Sequence, residues 1–201
     1  MTDVVIVRTG VANLASVLAG FRRLGVTPDV TTDPAAVAAA RAVVLPGVGA
    51  FGAGMAALHE FGLAAPLTAR VAAGRPLLAV CLGLQLLAIA SDEAPGVPGL
   101  GVLDGHVARF PDTVKVPQLG WNQVAPDAGC RLLEPGYAYF ANSYRLVDAP
   151  AGWTAARTDH GGSFTAALER GPILACQFHP ELSGPWGLAL LDRWLTAARE
   201  A

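Results

Sequence analysis

The residues best suited to chemistry begin with one thiol. Cys81 lies in PLLAVCLGLQLL (76–87), where an apolar run meets a glycine and a leucine-rich segment. A strand, a sharp turn and a helix would make this a nucleophile elbow, whose strained turn tolerates only small flanking residues. Ala79 and Gly83 are small. A helix beginning just after Cys81 would favour the thiolate through its N-terminal N–H groups and dipole. The backbone N–H of Leu82 would then face an oxyanion formed on an attacked carbonyl. These twelve residues alone leave a buried structural cysteine equally open, because free cysteines are commonly core residues.

A second group lies far along the chain, in QFHPEL (177–182). His179 and Glu181 are two residues apart, and Pro180 favours an extended residue before it. In an extended segment both side chains share one face. Glu181 could therefore orient an imidazole that deprotonates a thiol, the nucleophile–base–orienter logic of a triad. A surface loop with an exposed His and Glu also fits this tripeptide. A third piece, LPGVGAF (45–51), carries two glycines after a strand-like run. Such a turn lets backbone N–H groups approach a ligand and could supply a second oxyanion donor; a plain strand-to-helix turn fits as well.

The surrounding elements must bring these pieces together. VVIV (4–7) reads as a buried strand, followed by a turn at RTGVAN. Leu14, Val17, Leu18, Phe21 and Leu24 recur at helical spacing and end at Gly25. VTPDVTT, AVVLPG (42–47) and PLLAV (76–80) read as further strands. Strands alternating with helical patterns imply a parallel sheet covered on both faces. From 96 to 122 the chain is rich in Gly, Pro and Val, which suggests added antiparallel strands and loops. YAYFANSY (137–144) and ILACQFHP (173–180) return to strand character. GPWGLALLDRWLTAARE closes as a helix with Leu188, Leu190, Leu191, Trp194 and Leu195 as apolar positions. The expected fold is α/β, an open, mostly parallel central sheet with helices on both faces and added antiparallel strands. One domain spanning 1–201 is the simplest organisation. Open sheets of this class place their sites at the carboxyl ends of the strands, where Cys81 would stand.

Composition narrows the function classes. Hydrophobic residues make up 53% and charged residues 15% of the 201 residues, which speaks for a packed core. A net charge of −2 gives no basic footprint for nucleic acid. The apolar run 76–90 contains Gln85 and falls short of the roughly 20 residues a membrane span needs. MTDVVIV has no basic n-region of a secretory signal, so a cytoplasmic location is expected. Cys81, Cys130 and Cys176 form no C-x-x-C pair, so neither a disulfide framework nor a metal site is expected.

CLGLQ, HPE and PGVGAF, in these relative positions, resemble the triad-type (class I) glutamine amidotransferases, which have a flavodoxin-like sheet. TGVANLASV (9–17), VPQLGWNQV (116–124), YFANSY (139–144) and QFHPELSG (177–184) bring the resemblance closest to the glutaminase subunits of imidazole glycerol phosphate synthase. It runs over nearly the whole chain.

That resemblance implies that Cys81 attacks the carboxamide of glutamine, that His179 moves the proton, and that Glu181 holds the imidazole. It implies an oxyanion hole from the N–H groups of Leu82 and Val48, and a glutamine pocket lined by Gly49, Gln85, Ser143 and Tyr144. It implies no cofactor. It also implies that ammonia passes to a separate (β/α)8-barrel cyclase subunit, which makes imidazole glycerol phosphate and an aminoimidazole carboxamide ribotide in histidine biosynthesis. Several positions depart from the family pattern: Ala79 replaces a glycine, Gln118 and Asn142 each replace a histidine, and Leu182 replaces a Lys or Arg. A partner-independent cysteine hydrolase of the same architecture, or a scaffold subunit without chemistry, are the competing readings.

Overall fold

The computed structural model describes residues 4–8, 10 and 13–201; of the turn read after the first strand, Thr9, Val11 and Ala12 lie outside them. The first half of the chain alternates strands and helices: β1 (Val4–Val7), α1 (Leu14–Arg23), β2 (Asp29–Thr31), α2 (Pro34–Ala39), β3 (Ala42–Gly47), α3 (Phe51–Glu60), α4 (Ala64–Ala72), β4 (Leu77–Cys81) and α5 (Leu82–Leu86). Local chemistry starts the helices. Asn13 Oδ1 accepts from Ser16 N at the head of α1, and Asp33 caps α2 with Pro34 in its first turn.

The second half is strand-rich: β5 (Ala88–Ser91), β6 (Leu103–Arg109), β7 (Gln118–Pro126), β8 (Gly136–Asn142), β9 (Tyr144–Leu146), β10 (Thr154–Asp159), β11 (Ser163–Arg170) and β12 (Ile173–Cys176). A 3-10 turn, Pro180–Leu182, leads into α6 (Gly184–Glu200).

A nine-stranded sheet has the order β2-β1-β3-β4-β12-β11-β10-β7-β8. The pairings from β2 to β12 are parallel, and those from β12 to β8 are antiparallel. The sheet is therefore mixed, with a parallel half and an antiparallel extension. A second sheet has the order β5-β6-β9, with β5 parallel and β9 antiparallel to β6; of the strands expected from 96 to 122, β6 is here and β7 joins the antiparallel extension.

Alternate residues of the parallel strands enter two different cores, the period-two consequence of a sheet covered on both faces. Ile6, Val44, Leu78 and Leu174 pack with Phe21 of α1 and Leu191 and Trp194 of α6. Val5, Val43, Leu77 and Ile173 pack with Val37, Met55, Leu58 and Leu67 of α2 to α4.

Several expected boundaries move, each for a local reason. The strand read in VTPDVTT shrinks to Asp29–Thr31 at the sheet edge, after Pro28, which has no N–H to donate. β4 begins at Leu77 and includes Cys81 itself. YAYFANSY is not one strand: it breaks at Ser143, and Tyr144 starts β9 in the other sheet. In ILACQFHP the continuous strand ends at Cys176, and His179 forms only an isolated antiparallel bridge to Tyr139. The leucine-rich segment after Cys81 stays helical only to Leu86, and β5 follows almost at once. Among the described residues no helix is long and apolar enough to cross a membrane.

Candidate active site

Three loops at the carboxyl ends of parallel strands meet in one cleft of about 360 Å3. Its lining includes Val48 and Gly49 after β3, Cys81, Leu82 and Gln85 at the β4–α5 turn, Ser143 and Tyr144 between β8 and β9, and His179 after β12. Every residue expected at the site is in this lining except Glu181, which stands behind the imidazole.

Cys81 is strained in the way an elbow requires. Its φ of 55° and ψ of −110° make it the only non-glycine with positive φ among the described residues. Such a conformation costs on the order of 1–3 kcal/mol and persists only where surrounding packing holds it. The packing is visible at Gly83, where an added Cβ would stand 2.0 Å from the carbonyl oxygen of Leu45. The helix after the elbow can thus lie directly against β3.

His179 is fixed through its backbone. Its N–H donates to Tyr139 O at 2.9 Å, and its carbonyl accepts from Ser183 Oγ at 2.6 Å. Ser183 Oγ also accepts from Tyr139 N at 3.0 Å, tying β8 to the histidine segment. The ring Nδ1 lies 2.9 Å from Glu181 Oε1. The pairing expected of these two residues is present, but its geometric reason is different. His179 is extended, whereas Glu181 sits in the 3-10 turn that Pro180 begins. The turn, and not a shared strand face, brings the carboxylate back to the ring.

Both side chains are buried, at 5% and 3% exposure, so their interaction is poorly screened. Burial opposes a charge on His179. The hydrogen bonds to Cys81 and Glu181 and the electrostatic pull of these neighbours outweigh it, raising the imidazole to about 10. A protonated imidazole is therefore held between a carboxylate and the thiol.

Four residues at or behind the cleft were not singled out from the sequence as site residues. Glu93, just beyond the end of β5, lines the cleft, and its Oε2 accepts from Phe51 N at 2.7 Å at the start of α3. Pro117 and Ala141 line the cleft as well, beside Asn142. Gln177 lies behind the thiol, its Nε2 3.7 Å from Cys81 Sγ. Only Glu93 left a signal, an acidic residue just past an apolar run. Gln118 and Asn142, each noted as a departure from the family histidine, are register partners across β7 and β8 and are both buried. Gln118 Oε1 and Asn142 Oδ1 have no hydrogen-bond partner among the described residues.

The other thiols stand apart. Cys176 is buried in the core below the elbow, and burial together with Glu181 and Glu169 raises it well above its ordinary value. Cys130 donates to Ala155 O, and burial first, then Glu169 and Asp127, raises it to about 11. Neither is an activated nucleophile. Among the described residues no cluster of three or more His, Cys, Asp or Glu side chains could hold a metal ion.

Comparison with known proteins shows the family. Residues 7–198 match the family model for glutamine amidotransferase class-I. The imidazole glycerol phosphate synthase subunit HisH of Symbiobacterium thermophilum is 46% identical over 198 residues, covering 96% of this chain and 93% of the relative. The subunit of the same name from Methanothermobacter thermautotrophicus is 44% identical and covers 98% and 99%. A crystal structure of a glutamine amidotransferase superposes with a TM-score of 0.78 at 22% identity, covering 97% of this chain and 98% of that one, which shows the shared fold. The chain belongs to the class-I glutamine amidotransferase family and, within it, groups with the HisH subunits of imidazole glycerol phosphate synthase.

Proposed function

We propose that this chain, as one domain over 1–201, is the glutaminase subunit of an imidazole glycerol phosphate synthase, acting in the cytoplasm in histidine biosynthesis. The observation that carries the chemistry is the buried His179–Glu181 pair at 2.9 Å, set beside a strained thiol.

The steps follow from those positions. Cys81 Sγ attacks the side-chain carboxamide carbon of glutamine while His179 holds the thiol proton. Glu181 on Nδ1 leaves Nε2 to exchange that proton. The N–H groups of Leu82 and Val48 stabilise the oxyanion; losing one such donor typically costs about 2.7–4 kcal/mol in the barrier. The C–N bond breaks, His179 returns the proton to the nitrogen, and ammonia leaves. Water, deprotonated by His179, then cleaves the γ-glutamyl thioester and releases glutamate. Gly49, Gln85, Ser143 and Tyr144 line the place of the substrate, and the Glu93 carboxylate supplies the charge that a substrate α-ammonium needs.

Ammonia must reach its acceptor unprotonated, so a docked synthase is part of the function. The partner is a cyclase subunit with a (β/α)8 barrel, joined in a heterodimer. The outer face of the β7–β8 pair supports a docking role: Leu119, Trp121 and Tyr137 are exposed there, and Leu182, next after Glu181 in the chain, is exposed as well. An exposed apolar group of this kind marks an interaction surface. Leu182 contributes apolar area where the family carries a charge.

Glutamate release, measured with and without the cyclase subunit and its nucleotide, tests the proposal. Release is expected to rise when the partner is bound and to vanish in Cys81→Ala. Equal release by Cys81→Ala would sink it.

A further inference from the structure

Gln177 sits two residues before the histidine and is completely buried. Its backbone N–H donates to Ala166 O at 2.8 Å as the chain leaves β12. A side-chain amide has an acceptor end and a donor end of nearly equal shape, so what decides its orientation is the network around it. Here the network can be followed to a group that cannot turn over. Gln85 reaches the backbone carbonyl of Tyr144 at 3.1 Å, and a carbonyl only accepts. The Gln85 end that faces it must be Nε2. The same Nε2 lies 3.0 Å from the Gln177 amide, which must therefore present Oε1. Its other end, Nε2, then points at Cys81 Sγ, 3.7 Å away.

The consequence is chemical. A donor aimed at sulfur favours the charged form of the thiol, and its effect is strengthened where water is excluded. Cys81, Gln85 and Gln177 are all buried. We propose that Gln177 is a further catalytic residue: its amide N–H stabilises the Cys81 thiolate, and Gln85, anchored on Tyr144 O, holds that amide in the required orientation. Two groups thus share the sulfur, an imidazolium that exchanges its proton and an amide that cannot. Gln85 is then a positioning residue as well as part of the cleft wall. The inference rests on Cys81 being the nucleophile.

The test is the pH dependence of alkylation by iodoacetamide on the full chain, followed at the Cys81 peptide by mass spectrometry. Gln177→Leu is expected to move the apparent midpoint upward by about one unit, the size of one hydrogen bond to a charged group. Gln177→Glu keeps the shape and the bond to Gln85 but turns an acceptor toward the sulfur, so its midpoint should rise at least as far. In glutamate release with the cyclase subunit present, both should lower kcat about tenfold with little change in KM. Parent-like midpoints in both variants, with Cys81→Ala inactive, would overturn the inference and leave the nucleophile standing. An active Cys81→Ala would overturn both.

Discussion

Gly47 lies in register with Cys81 on the neighbouring parallel strand. The end of β3 and the elbow of β4 are therefore one structural unit, and the glycine turn and the thiol cannot move independently. A Cβ on Gly47 would stand 2.8 Å from Leu82 Cβ, and one on Gly83 would stand 2.0 Å from Leu45 O. The second contact is with backbone and cannot be relieved by a rotamer change. Gly83→Ala is expected to cost about 1–3 kcal/mol in urea unfolding and roughly 100-fold in glutamate release through the displaced thiol. Parent values in both assays would contradict this close approach.

Glu181 acts on the reaction through His179. Glu181→Gln keeps the size of the side chain and removes a charge that helps raise the imidazole to about 10. The alkaline limb of the pH–rate profile should move to lower pH, and turnover should fall roughly 10²–10⁴-fold. Loss of rate with an unmoved limb would point to a purely steric role.

The same imidazole makes stability depend on pH. An unfolded histidine titrates near 6.5 and this one near 10, so the native state binds the extra proton between those values. Its stabilising contribution is complete below pH 6.5 and drains away as pH rises toward 10. Urea midpoints of the parent and of His179→Gln should differ most on the acidic side and converge with rising pH. A gap independent of pH would exclude this linkage.

Arg70 holds the opposite end of the parallel half. Its buried guanidinium donates to Pro76 O at 3.1 Å, Arg41 O at 3.3 Å, Val37 O at 2.8 Å and Ala40 O at 2.6 Å. Burial and, after it, the nearby Arg75 lower it to about 10. Arg70→Met removes one donor from four carbonyls that close α2 and begin β3 and β4; Ala40 O keeps Arg75 and Pro76 O keeps the N–H of Val43. A loss of at least about 2 kcal/mol in chemical denaturation is expected, since each unpaired buried acceptor costs about 1–3 kcal/mol.

Trp121 projects from β7, packs edge-on against Tyr139 and is 58% exposed. If this face carries the cyclase subunit, Trp121→Ala should weaken assembly by about 2 kcal/mol. That is roughly 30-fold in Kd by isothermal titration. Leu182→Ser should weaken it less, and unchanged binding in both variants would move the interface elsewhere.

The parallel half of this fold was legible because β1, β3, β4 and β12 are buried on both faces. AVVLPG reads as an unbroken apolar run and forms β3 over the same six residues. The closing helix was equally legible, since its apolar spacing needs no distant partner to be seen. The antiparallel strands were harder. β10 and β11 carry short runs broken by small and polar residues, and they gain strand character only from pairing with each other and with β7 and β12.

The site divides along the same line. The residues alone supplied a thiol, a histidine and a carboxylate two positions beyond it, and glycines after a strand. Their types and spacing determined what chemistry was available, because nucleophile, base and orienter are properties of side chains. Residue type could not decide that Cys81 is strained rather than simply packed, that Glu181 returns to the ring through a 3-10 turn, or that Gln177 aims a donor at the sulfur. The turn at Glu181 is local but is a matter of backbone path, whereas the elbow is held by β3 and the Gln177 contact joins residues 96 apart in the chain. Hydrogen bonds of that kind are set by how β4 and β12 lie side by side in the sheet, which only the tertiary structure determines.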